Sequence, residues 1–219
     1  MSMPHFPNPI SQLAQSTLPM PRQRYLFSSI LQGYGPNNTP VVGFSDAAVP
    51  QDGKIGTWKN AGLGVFVDLR ATSLACSVHI QANTQVLSVL MAELNALLLG
   101  AKAAALLLGH SFGLVTGSLL AVQYLQQNLS QVPWRLRPII SEIKILQDIY
   151  QFEVIKIPKS QNSEAHRLAI QAKAMHVASA SGATRVNCAC LYHIQGCNVL
   201  NALNSASWGC LNLSSVYCF

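Results

Sequence analysis

Apolar positions fall into short runs after residue 41 and into longer helical stripes after residue 86. "PVVGFSDAAV" is a brief apolar run interrupted by Asp46, and "PQDGK" (50–54) closes it with turn-forming residues. "AGLGVFVDL" (61–69) and "SLACSVHI" (73–80) are strand-like runs separated by Arg70, Ala71 and Thr72, which predicts a hairpin. Three consecutive strands therefore open the domain. Residues 86–108 carry the longest helical pattern, built of Leu, Ala, Met, Glu and Lys with no proline before Pro133. "FGLV" predicts a fourth strand that stops at Gly117, and a helix runs from Ser118 to about Asn128. A further helix over 141–150, a fifth strand in "FEVIKIP" (152–158) and a helix from Ser163 to about Ala178 complete the pattern. The order β-β-β-α-β-α-α-β-α is that of an α/β domain with an antiparallel start.

The flanks differ in texture. Residues 1–38 are rich in Pro, Ser, Asn and Gln and read as a flexible lead-in, which leaves 39–178 as the domain. Residues 179–219 lose periodicity and form a cysteine-containing extension with Cys188, Cys190, Cys197, Cys210 and Cys218. That irregular spacing is not a paired zinc knuckle and reads as reduced thiols. No basic stretch precedes an apolar run near Met1, so no secretory signal is expected, and an intracellular location, nucleus or cytoplasm, is favoured. Residues 103–125 hold no Asp, Glu, Lys or Arg and are long enough to span a bilayer. Gly109, His110, Ser111, Gly113, Thr116, Gly117 and Ser118 in their middle predict loop, strand and turn, and no membrane partner.

With 50% hydrophobic and 10% charged residues, the 219-residue chain can bury a large core. A net charge of +6 fits an anionic partner such as nucleic acid, without any basic block that would make a charged tail. Two carboxylates interrupt apolar surroundings. Asp46 divides the first strand, and Glu93 lies among Val89, Leu90, Ala96 and Leu97 on the long helix. The spacing leaves Glu93 either facing the core or solvated on another face. In "IPKSQNSEAHRLA" (157–169) a loop supplies Lys159, Asn162 or Ser163 caps the next helix, and His166 follows one turn after Asn162.

Together "SDAAV", "AELNALLLGAKAA", "LVTGS" and "KIPKSQNSEAHRLA" resemble the type-1 ribonuclease H family. With "PWRLRPIISEI" the match is to the plant retrotransposon-derived branch of reverse-transcriptase-like RNase H domains, over residues 41–175. The tail with Trp208, Ser215 and Cys218 resembles extensions of that branch. The resemblance implies an RNase H-like α/β fold, a five-stranded mixed sheet with helices on both faces. It also implies four acidic residues holding two Mg²⁺ ions that cut the RNA strand of an RNA–DNA hybrid. Asp46 matches the first acid and Glu93 the second, making these the metal-ligand positions, and the match places Glu93 toward the core. Gly117 stands where the third, an Asp in an Asp-Ser pair, is expected, and His166 where the fourth Asp is expected. Glycine provides no ligand and imidazole suits softer metals than Mg²⁺.

The nearest substitutes in sequence are Glu164 and Asp68, and Glu164 points away from His166 around the helix. Ser118, Lys159 and Asn162 are the nucleic-acid-binding positions, with Lys54, Lys59, Lys156 and Arg167 as further phosphate contacts. The expected function is nucleic-acid binding, of the RNA–DNA hybrid type, by a fold whose ribonuclease site is degenerate. An active Mg²⁺-dependent hybrid ribonuclease using Asp46, Glu93 and His166 is one alternative. A scaffold or decaying element-derived protein without a nucleic-acid role is the other.

Overall fold

The computed structural model describes residues 40–51, 56–70, 76–175, 185–188, 202–203, 206–208 and 211–218. The lead-in 1–38, the boundary near 178, Lys54, Cys190, Cys197 and Cys210 lie outside the described residues.

β1 (Val41–Ala48), β2 (Lys59–Asp68) and β3 (Ser77–Val86) form an antiparallel meander in which Asp46 faces Gly64 and Val65 faces Ile80. Side chains alternate between faces along β2. Ala61, Leu63, Val65 and Val67 enter a core shared with Ala96, Leu99 and Ala103 of α1 (Val89–Leu108). Gly62 and Gly64 point the other way, toward the backbone of α4 (Ser163–Met175). Helices therefore cover both faces, as expected.

Ser88 caps α1 by accepting the Met91 N–H at 3.1 Å, and Gly109, at φ 82°, ends it with its N–H on the Ala105 carbonyl. Leu94, Leu97, Leu98 and Ala101 join a second core cluster with Ile140 and Ile143 of α3 (Arg137–Tyr150) and with Val42 and Leu114 of the sheet. A helix held between a sheet and a second helical layer must be apolar around most of its circumference. That explains why α1 is long and apolar enough to cross a membrane while most of it is buried here. The uncharged stretch 103–125 is not one helix. It divides among the end of α1, β4 (Gly113–Thr116) and α2 (Leu119–Gln126).

β4 joins β1 in parallel, with Val115 beside Phe44, and β5 (Glu153–Lys156) joins β4 in parallel. The expected element order holds through α4. The sheet, however, has seven strands rather than five, ordered β5-β4-β1-β2-β3-β7-β6. β7 (Asn212–Cys218) pairs antiparallel with β3, and β6 (Arg185–Cys188) parallel with β7. β7 escapes a hydrophobic-pattern reading because a serine takes an inward position. Ser215 is fully buried and donates its hydroxyl to Gln81. β3 also runs past the expected residue 80, since Gln81 donates to Gln171 of α4 at 2.7 Å and Asn83 donates to Ser214. Polar pairs there stand where apolar alternation was sought.

Candidate functional site

Asp46 shares its face of β1 with Phe44, the face that packs on Ala165 of α4. It is 3% exposed. What brings a partner to it is the start of α4. Asn162 is buried and donates its Nδ2 to the Ser45 carbonyl at 2.8 Å, pinning the helix to β1. Its backbone carbonyl accepts the His166 N–H at 3.0 Å, so the first turn is set. Gly64 completes the approach. A Cβ there would collide with the Ala165 carbonyl and the Ala169 nitrogen. The outcome is a hydrogen bond of 2.6 Å between His166 Nδ1 and Asp46 Oδ2, with the Asp46 side chain 5% and the His166 side chain 52% exposed.

Glu93, in the first turns of α1, resolves toward the interior, at 5% exposure. Burial, then the negative charge of Asp46, pushes its carboxyl up to about 7. The Lys159 ammonium and the Ala47 N–H act in the opposite sense. Glu93 Oε2 is buried without a hydrogen-bond partner. Gly117 ends β4 beside these groups. The position its Cβ would occupy lies 3.3 Å from Lys159 Cγ and 3.9 Å from both Lys159 Cε and Asp46 Oδ1. The Lys159 side chain thus covers the ground that an aspartate at 117 would use. Asp46, Glu93, Gly117, Lys159 and His166 converge at one end of the sheet.

The other positions fall differently. Ser118 is the N-cap of α2 and accepts the Ala121 N–H at 3.3 Å. Lys156 and Lys159 are exposed, and Lys59 is half-buried. Arg167 is exposed and bonds Glu164 and Gln171. Asp68 cannot substitute for a missing acid. It lies four residues along β2 from Gly64, the partner of Asp46, or roughly 13 Å, and holds Arg70 at 2.6 and 2.8 Å. Glu164 faces away from the site, bound by Arg167 and, at 3.2 Å, by His79.

The His79–Glu164 pair was not visible in the sequence, since it joins β3 to α4. Nor was a cavity of about 190 Å³ lined by Lys102, His110, Tyr150 and Trp208 among others. The one local signal missed was Asn95, a buried amide in an apolar helix whose Oδ1 lacks a partner.

Two Mg²⁺ ions require several hard oxygen donors converging on each. Asp46 Oδ2 is taken by His166, Gly117 presents nothing, and the His166 imidazole is a nitrogen donor. Asp46 Oδ1 and Glu93 Oε2 are the oxygens left over. Among the described residues no group of three or more His, Cys, Asp or Glu is placed to hold a metal ion. The donor set does not fit a two-ion centre.

No family model and no curated protein matches the chain. Among solved structures it is similar to the N-terminal RNase H domain of a Mycobacterium tuberculosis protein, solved as a fusion with maltose binding protein. That match has 20% identity and a TM-score of 0.45, covering 62% of this chain and 94% of that one. RNase H1 from the halophilic archaeon Halobacterium salinarum matches at 18% identity and TM-score 0.43, covering 59% and 94%. LC11-RNase H1, isolated from compost by a metagenomic approach, matches at 16% identity and TM-score 0.49, covering 63% and 98%. Element order, strand pairing and helices on both faces are in themselves those of an RNase H-like α/β fold.

Proposed function

We propose that this chain is an RNase H-like protein of the plant retrotransposon-derived branch that binds nucleic acid of the RNA–DNA hybrid type. Its metal-dependent ribonuclease site is degenerate, and it acts inside the cell, in nucleus or cytoplasm. The observation that carries the degenerate reading is the 2.6 Å hydrogen bond from His166 to Asp46. A side chain standing at an expected ligand position has turned inward and engages the first acid instead of adding a donor. The net charge of +6 supports an anionic partner. Lys156 and Lys159, exposed at the site's end of the sheet, supply phosphate contacts. Trp134, 71% exposed with the Arg135 guanidinium 5.1 Å from its ring centroid, offers a stacking surface of the kind unpaired bases use.

Fluorescence anisotropy of a labelled RNA–DNA hybrid and of duplex DNA, titrated at rising salt, tests binding. Affinity is expected to fall linearly on a log–log plot, more steeply for wild type than for Lys159→Ala. No binding at low salt sinks the reading and leaves a scaffold role. The metal-dependent alternative keeps one observation in its favour, the two oxygens Asp46 Oδ1 and Glu93 Oε2. Hybrid cleavage that needs Mg²⁺ or Mn²⁺ and disappears in Asp46→Asn would establish it.

A further inference from the structure

We propose that the Asp46–His166 pair is a metal-free dyad that cleaves flexible single-stranded RNA by activating the RNA's own 2′-hydroxyl. The inference rests on the nucleic-acid reading above and adds an activity to it.

Three observations converge. A buried carboxylate on Nδ1 fixes the imidazole's orientation and leaves Nε2 as the ring nitrogen that can meet a substrate. Asp46 has that place, with its side chain 5% exposed and 2.6 Å from Nδ1. His166 is half exposed, and among the described residues its Nε2 has no hydrogen-bond partner. Finally, Gly117 leaves the β4–α2 turn without a side chain, and the Lys159 side chain lies over it, its Cγ 3.3 Å from where a Cβ would stand. That Cβ position is 3.9 Å from both Lys159 Cε and Asp46 Oδ1, which sets the lysine beside the dyad's carboxylate. A base, its orienting acid and an exposed cation thus stand together at one end of the sheet.

The step needs no metal and no co-reactant but water. His166 Nε2 accepts the proton of the 2′-hydroxyl. The 2′ oxygen forms a bond to phosphorus while the bond from phosphorus to the 5′ oxygen breaks. The departing 5′ oxygen takes a proton from water, and the imidazolium returns its proton to the hydroxide so formed. The products are a 2′,3′-cyclic phosphate and a 5′-hydroxyl. The Lys159 ammonium offsets the negative charge that develops on the non-bridging oxygens. The 2′ oxygen, phosphorus and 5′ oxygen must come into line, which a helical duplex prevents. Unpaired RNA is therefore the substrate, a hybrid is bound intact, and DNA, lacking the 2′-hydroxyl, is not cut. His166 is the catalytic residue, and Asp46 is a positioning residue acting through it.

The full chain is incubated at low salt in EDTA with a short fluorescein-labelled oligouridylate, binding being read by anisotropy and products by the chemistry of their ends. Binding with cleavage to cyclic phosphate ends is expected, and a deoxy substitution at one nucleotide abolishes cutting at that site. His166→Ala lowers kcat about 100-fold or more without loss of binding, and added imidazole restores part of the rate. Asp46→Asn lowers kcat and leaves KM unchanged, a split that loss of a purely structural tie would not give. Circular dichroism confirms that each variant is folded. RNA bound but uncut in EDTA overturns the dyad while leaving the nucleic-acid reading intact. RNA and hybrid both unbound overturns the two together. Equal cleavage by the His166→Ala protein, or cleavage only with Mg²⁺ to give 5′-phosphate ends, also overturns it.

Discussion

His166 and Asp46, 120 residues apart in the chain, meet across the β1–α4 contact with Nδ1 and Oδ2 separated by 2.6 Å. The carboxylate belongs to a strand buried by its neighbours, and the imidazole belongs to a helix start that Asn162 fixes to the Ser45 carbonyl. A hydrogen bond to a buried carboxylate is among the stronger kinds, and removing the donor leaves the acceptor stranded. His166→Ala is expected to cost about 1–3 kcal/mol at neutral pH, and much less in an Asp46→Asn background. Urea unfolding of the two single variants and the double variant gives the coupling between them directly. Additive losses would mean that the contact contributes nothing of its own.

Placing acids at 117 and 166 should create metal binding. In Gly117→Asp/His166→Asp, four carboxylates face the end of the sheet, and Asp46 Oδ2 is released from the imidazole. Lys159 stands in the way, since its Cγ is 3.3 Å from the position of the new Cβ. The double variant is therefore expected to show a Mg²⁺-dependent rise in melting temperature that increases further when Lys159→Ala is added. Hybrid cleavage should follow the same order. A melting temperature indifferent to Mg²⁺ in all three proteins would show that the scaffold cannot present the ligands.

Glu93 should make stability depend on pH. Its folded pKa, about 7, lies above the unfolded value of 4.5, burial being the larger cause and Asp46 the next. A carboxyl raised in this way stabilises the fold while protonated. The contribution is full below about pH 4.5 and is lost as pH rises through about 7. The loss is on the order of 3 kcal/mol. Glu93→Gln keeps a neutral side chain of the same shape, so its unfolding free energy should stay flat over that window. Equal slopes for wild type and variant would place Glu93 in water.

Periodicity carried the meander, the long helix and the βα units, because those segments bury one face or one stripe and so leave a repeat in the sequence. The convergence of Asp46, Glu93 and Gly117 was legible too, through a resemblance spread over several segments. Two things were hidden. The His166–Asp46 bond depends on how closely α4 approaches β1, which the Asn162 amide and the small residue Gly64 decide, and neither announces that role locally. The β7 strand was missed because Ser215 takes an inward position, its polarity satisfied by Gln81 from β3. Partners distant in sequence decide both features, so no window of a dozen residues holds the information.

Gly64 sets how near α4 can come. A methyl group there would meet the Ala165 carbonyl and the Ala169 nitrogen, backbone atoms that cannot swing aside. Gly64→Ala is expected to lift α4 from the sheet and destabilise by about 1–3 kcal/mol or more. It should also break the His166–Asp46 bond without touching either residue. Loss of the downfield Nδ1 proton resonance of His166, in a protein still folded by circular dichroism, would confirm that the helix has moved. An unchanged resonance would show that α4 tolerates the methyl where it lies.

Val216 tests whether the C-terminal segment belongs to the fold. It is fully buried on β7, opposite Ile80, in the core cluster that includes Val78, Ala82 and Leu203. Carboxylates are not accommodated in such surroundings without a partner. Val216→Asp is therefore expected to lower unfolding free energy by about 3 kcal/mol or more and to unpair β7. The edge of β3 then stands open, an arrangement that invites strand pairing between molecules. Concentration-dependent association, measured by light scattering at a temperature where the variant remains folded, should accompany the loss of stability. A variant as stable as wild type and no more associated would mean that residues beyond 178 do not seal β3.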